Sequence, residues 1–249
     1  IKVEEANFAK RKVIVAAGTE KTYFDMKGLL EKRGLKEFKD FVWSRIVDKK
    51  IVLVNANCHG SALIRYLEQS DRFSAEYAVY PLPAVHLNSQ KEISLELLCN
   101  VDVYIHQDIR QENSIGYKLS DEYILPRLKE GCRSITIPNL VGMANWMFPG
   151  LSILGRTMKA MGSSGYVFYK EEPLDKAVEM QCYTLEEYRN FWMNYVYTEE
   201  ELTEKWKNDM EKLWKREANW DVKIAQFILD NYKKITCFVD LSHPSKYVM

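Results

Sequence analysis

Ile51-Val52-Leu53-Val54-Asn55-Ala56-Asn57-Cys58-His59-Gly60 is the stretch on which the fold turns. Its first four residues are apolar and three of them are β-branched. Such a run reads as a strand covered on both faces, the environment of a parallel sheet. It leads through Asn57–Gly60 into Ser61-Ala62-Leu63-Ile64-Arg65-Tyr66-Leu67, where Leu63, Ile64 and Leu67 fall on one helical stripe. A buried strand feeding an amphipathic helix is the opening of a βαβ unit.

The alternation continues on either side. Lys12 to Ala16 reads as a strand ending at Gly18, and residues 23–33 as a helix. Tyr77 to Tyr80, Val101 to Ile105 and Ser134 to Ile137 read as strands, separated by helices over 92–99 and 120–129. The fold class expected is α/β: a mostly parallel central sheet flanked by helices. From Pro138 to Pro173 the chain is rich in Gly, Met, Ser and aromatic residues. It reads as an irregular segment, either a binding loop or a surface loop packed by its own aromatics. Thr184-x-x-Glu187 and Thr198-x-x-Glu201 then fit capping boxes. Leu202, Trp206, Met210, Leu213 and Trp214 share a face after the second, and a further helix spans Asp221 to Tyr232. A last strand, Ile235 to Val239, closes this helical C-terminal region.

Composition narrows the function classes. The 249 residues are 47% hydrophobic, enough for a substantial core, and carry 35 basic and 35 acidic side chains. A net charge of zero argues against a nucleic-acid partner, which needs a basic face. No apolar run approaches the roughly 18–20 residues that span a bilayer, and the first residues have no signal-peptide character. The sequence does not start with Met, and segments beyond both of its ends are expected. Five scattered cysteines without a CxxC pair read as reduced thiols, so the expected location is cytoplasmic. Peripheral association with the inner membrane through a glycan-assembly complex is compatible with that. The dispersed histidines and cysteines form no metal site, and the first strand lacks the GxGxxG spacing of a dinucleotide fold.

Reactive residues cluster at strand ends, where open parallel sheets bind ligands. Cys58 stands between a strand and a helix, so the helix N-terminus favours a thiolate and offers N–H groups to an oxyanion or phosphate. A buried, inert cysteine is the bland alternative; Asn57, His59 and Gly60 around it favour function. His106-Gln107-Asp108 follows the strand at 101–105, and Gln107 either orients a substrate carbonyl or caps backbone groups. Asp240-x-x-His243 follows the last strand, and a carboxylate at that spacing can orient an imidazole as a general base. Cys58, His243 and Asp240 together make a candidate catalytic relay. His86, in a Pro-rich loop, reads as structural or as part of the site's rim.

These residues resemble a known family. The Asn57-Cys58-His59-Gly60 turn is similar to the Asn-Cys-Gln/His turn of the WcbI-type capsular polysaccharide biosynthesis family. Asp102-Val103-Tyr104-Ile105-His106-Gln107, Ile137-Pro138-Asn139 and Phe148-Pro149 also resemble it. The most specific match is Arg216-Glu217-x-x-x-Asp221-x-Lys223-Ile224-x-x-Phe227-Ile228-x-x-Asn231-Tyr232, running on to Phe238-x-Asp240-x-x-His243-Pro244-Ser245. The resemblance covers about residues 50–248. Residues 1–49 lie outside it, as a strand–helix extension resembling part of a nucleotide-binding unit, ahead of a domain over 50–249.

The resemblance implies an acetyl-CoA-dependent O-acetyltransferase acting on a sugar hydroxyl of a capsular or other surface polysaccharide. Coenzyme A and the glycan acceptor are the implied partners, and a homo-oligomer is compatible with it. It also implies a distant SGNH-hydrolase-like plan, in which Cys58 stands in place of serine and His106-Gln107-Asp108 replaces Gly-x-Asn-Asp. Under it His243 is the base, Asn57, His59, Gly60 and Gln107 surround the oxyanion or substrate, and Arg110 and Lys118 meet the coenzyme phosphates. Trp146, with Phe148, stacks on the sugar or adenine. A glycan esterase or deacetylase using the same relay, and a non-catalytic nucleotide-sugar or glycan-binding subunit, are the rival readings.

Overall fold

The computed structural model describes residues 13–88, 92–110, 116–140, 151–157, 166–238, 245–246 and 248. The chain forms two compact units that divide between Ile137 and Pro138. In the first, β1 (Val13–Val15) leads into α1 (Glu20–Glu31), whose N-cap Thr19 accepts the N–H of Thr22. Then comes β2 (Phe41–Trp43), paired in parallel with β1. This short strand has no periodic signal in the sequence; its two aromatic ends, Phe41 and Trp43, are wholly buried.

The central strand β3 (Lys50–Asn55) runs directly into α2 (Cys58–Glu68). Next are α3 (Asp71–Glu76), β4 (Tyr77–Tyr80), the single turn α4 (Leu95–Leu98), β5 (Val103–His106), α5 (Asp121–Ile124) and β6 (Arg133–Thr136). The strand order is β4-β3-β5-β6, with every pairing parallel. Successive side chains of β3 enter different cores, as a strand with both faces covered must do. Ile51 and Leu53 pack with Tyr23, Trp43, Leu98 and Tyr104, whereas Val52 and Val54 pack with Leu63, Ile64 and Leu67 of α2. The expected mostly parallel sheet flanked by helices is what the chain adopts.

Two expected helices are shorter than their patterns suggest. The 92–99 segment forms only α4, started by the Ser94 hydroxyl, which accepts the Leu97 N–H. In the 120–129 segment α5 tightens at Leu125 into a 3₁₀ turn holding Pro126, which has no N–H to continue an α-helix.

Residues 13–46 share their core with the sheet. Glu37, 4% exposed, is the polar centre of that junction. Its carboxylate accepts from the hydroxyls of Tyr23 and Tyr80 and, at 2.6 Å, from Lys27 Nζ. Burial, followed by the nearby Glu37 charge, pushes both phenol pKa values above the ordinary tyrosine range, so both hydroxyls are donors.

The second unit corrects the expectation of an irregular 138–173 segment. β7 (Leu151–Thr157) and β8 (Tyr166–Glu171) form an antiparallel pair. The register shifts between Ile153 and Gly155, and a glycine that breaks the alternation of side chains hides such a strand from pattern reading. Four helices follow among the described residues: α6 (Glu172–Glu179), α7 (Leu185–Asn194), α8 (Glu199–Glu217) and α9 (Ala225–Asn231). Both expected capping boxes form. Glu187 accepts the N–H of Thr184, and Glu201 that of Thr198, while each threonine hydroxyl accepts in return.

Three details of this unit differ from expectation. Trp214 is 42% exposed, and the buried side of α8 runs through Met210, Leu213 and Glu217. The third helix begins at Ala225, four residues later than Asp221, because the Glu217 carboxylate accepts the N–H groups of Ile224 and Ala225 at 2.9 and 2.8 Å. Over the described residues 235–238 only Phe238 makes a β-bridge, and no strand element forms. The N–H groups of Lys234 and Ile235 instead return to Asn231 O, and Cys237 and Phe238 bury against Met210, Leu213 and Ile228.

Two tests follow from these contacts. Replacing Glu37 with Ala removes the acceptor of one cation and two hydroxyls, and should lower stability by roughly 3 kcal/mol in urea denaturation. The backbone N–H of Thr198, then Lys176, holds the Glu201 carboxyl below its ordinary value. That contribution is complete above the ordinary glutamate range and is lost as pH falls through the lowered folded value. Glu201→Gln should therefore remove this part of the acid dependence from the helical circular dichroism signal and leave the rest of the curve in place.

Candidate functional site

The sheet order decides where a ligand would sit. From β3 the chain steps to β4 on one side and then returns past β3 to β5 on the other. The ends of β3 and β5 therefore flank a topological switch point, where the following segments diverge and leave a crevice. The residues at those two ends are Asn55–Gly60 and His106–Asp108.

Asn57 organises the turn. Its side-chain carbonyl accepts the His59 N–H at 2.9 Å and caps α2, and its backbone carbonyl accepts the Gly60 N–H. Its own N–H donates to Gln107 Oε1 at 3.0 Å, while the Gln107 N–H donates to Asn55 O. Gln107 is 2% exposed and ties the end of β5 to the turn after β3. The backbone-holding reading of Gln107 is thus the one its carbonyl fulfils. On the other side of β3, the Val85 N–H donates to Ala56 O, so the loop carrying His86 is fastened to the same turn.

Cys58 is the first residue of α2 and is partly exposed. His59 and Gly60 are buried. A Cβ on Gly60 would meet Ala56 Cβ at 2.8 Å and Val54 Cγ1 at 3.1 Å, so glycine is what allows the first turn of α2 to lie against β3.

His106 and Asp121 support this edge, and sequence reading does not single out Asp121. His106 is 3% exposed, stacks on Tyr104 and has Nδ1 2.9 Å from Asp121 Oδ1 and Nε2 2.9 Å from Ser134 Oγ. Asp121 Oδ2 also accepts the Ile109 N–H. Only the fold brings residues 106, 121 and 134 together.

Asn57, Cys58, His59, Gly60 and Gln107 are therefore gathered at one edge. Arg110 is exposed and 3.4 Å from Asp108, and exposed Lys118 pairs with Glu92, which raises the lysine pKa. Surface pairs of this kind hold their cations weakly. Trp146, Phe148, Asp240 and His243 lie outside the described residues. Among the described residues no helix is long and apolar enough to cross a membrane.

A parallel α/β sheet with a cysteine-bearing helix N-terminus at its switch point defines a crevice-type α/β protein. The family model described as polysaccharide biosynthesis enzyme WcbI matches residues 51–249, and the chain belongs to that family. It is similar in structure to native WcbI, described as a novel polysaccharide biosynthesis enzyme without a disulfide bond between coenzyme A and one of its cysteines. The TM-score is 0.65 at 16% identity, a likeness of fold, over 80% of this chain and 65% of that one. The chain thus spans just under two thirds of that protein. No curated protein matches the chain.

Gly60→Ala should cost about 1–3 kcal/mol in chemical denaturation, because the added methyl forces α2 away from β3. The rate at which Cys58 reacts with a thiol reagent should change with it.

Proposed function

We propose that this chain is a coenzyme A-dependent O-acetyltransferase acting on a sugar hydroxyl in polysaccharide biosynthesis. The observation that carries the reading is Cys58, partly exposed at the first turn of α2 and at the switch point of the sheet. The WcbI family membership and the coenzyme named for the structural neighbour support it.

The residues present fit such a cofactor. A partly exposed thiol stands at a helix N-terminus, and Arg110 and Lys118 are exposed cations whose carboxylate partners are at the surface. Coenzyme A, when bound, would supply an acetyl group activated as a thioester. Asn57 and Gln107 hold the turn that presents Cys58, and the dipole of α2 faces negative charge developing at its N-terminus. Arg110 and Lys118 would meet phosphates. The role of general base, taking the proton of the acceptor hydroxyl, is proposed for His243 with Asp240 on the Asp-x-x-His pattern alone.

Calorimetry with coenzyme A and intact-mass analysis after exposure to acetyl-CoA test the reading. Binding is expected, with an acetyl adduct that disappears in Cys58→Ala. Absence of coenzyme A binding, together with release of acetate from acetylated sugars, would replace it with an esterase.

A further inference from the structure

The hairpin of α6 and α7 leaves apolar side chains in water. Val178, Met180, Tyr183, Leu185, Met193 and Val196 are between 60% and 83% exposed. Elsewhere among the described residues only one large apolar side chain, Leu87, is as open. The turn of the hairpin is closed by hydrogen bonds. The N–H groups of Gln181 and Cys182 return to Val178 O and Ala177 O, and the Glu187 carboxylate accepts the N–H groups of Tyr183 and Thr184. Tyr188 and Phe191 are half-buried, and Lys176 ties the hairpin to α8 through Glu201. Leu185, Arg189 and Met193 recur at every fourth position and form a stripe on the outer side of α7.

We propose that two copies of this chain associate through this face about a two-fold axis, with their α7 helices antiparallel. Area supports it. At those exposures the six side chains leave on the order of 800 Å² open, about what each partner gives to a standard interface and more than the apolar patch usual on a monomer. Spacing supports it as well. Tyr183 and Met193 stand five residues to either side of Tyr188, and Met180 and Val196 stand eight to either side. With the axis at the level of Tyr188, Tyr183 of each copy meets Met193 of the other, and Met180 meets Val196. An isologous contact requires this match of a surface to itself.

Charge completes the match. Arg189 lies in the middle of the stripe and Glu186 on its flank, and neither has an ion-pair partner among the described residues. The antiparallel arrangement brings Arg189 of each copy close to the level of Glu186 of the other, so two cations face two carboxylates across the axis. The same charges disfavour a membrane. A helix lying on anionic lipid carries Lys and Arg along its polar face, whereas α7 sets Glu186 and Glu187 against one arginine.

Sedimentation equilibrium of the full chain from about 1 to 100 μM tests the pairing. The parent chain should approach the mass of a dimer at the upper end of that range. Leu185→Asp and Met193→Asp each place a carboxylate on the apolar stripe and should weaken association at least about a hundredfold. Arg189→Glu should weaken it roughly three- to tenfold by facing Glu186 with a like charge, and adding Glu186→Arg to that variant should restore it. Circular dichroism checks folding, and the charge exchange keeps the test available if either aspartate variant misfolds. A monomer throughout the range, a dimer indifferent to both aspartate variants, or a double exchange no tighter than Arg189→Glu alone would overturn the proposal. A monomeric parent chain that sediments with phosphatidylglycerol vesicles, and ceases to do so in Leu185→Asp, would overturn it in favour of a membrane-binding face.

Discussion

The hydrogen bond from the Asn57 N–H to the Gln107 side chain is the constraint on which the site depends. When β3 leaves the sheet, its backbone loses the ladder that satisfied it, and buried N–H groups must find other partners. Gln107 supplies one from the end of the neighbouring strand. That bond, the Asn57 cap and the close approach at Gly60 determine the direction in which α2 departs, and with it the position of Cys58. His106 and Asp121 lie one layer further back and hold the loop that carries Gln107.

Residues 13–46 are part of the same construction. Glu37 gathers hydroxyls from α1 and β4 and an ammonium from α1 into one buried cluster. A carboxylate so enclosed is sustainable only because each partner donates to it. The cluster brings α1, a segment outside the family match, against the end of β4.

Where the elements lie was largely legible. β3, β4, β5 and β6 stand within two residues of their sequence-based bounds, since short runs of apolar residues bounded by polar turns have few other ways to bury themselves. The exceptions share a cause. β2 is too short for a pattern, β7 is interrupted by Gly155, and the 235–238 run finds its burial among helices. In each, tertiary packing decided what a local pattern left open.

By itself the sequence determined the alternation of strands and helices, the capping boxes, and the Asn57–Gly60 turn that marks the family, because each is set by contacts within a few residues. Tertiary structure alone decided the strand order β4-β3-β5-β6, the meeting of Gln107 with Asn57, and the convergence of His106, Asp121 and Ser134. Those depend on which strands become neighbours, a choice governed by burial of both faces of the sheet and by no single stretch of chain.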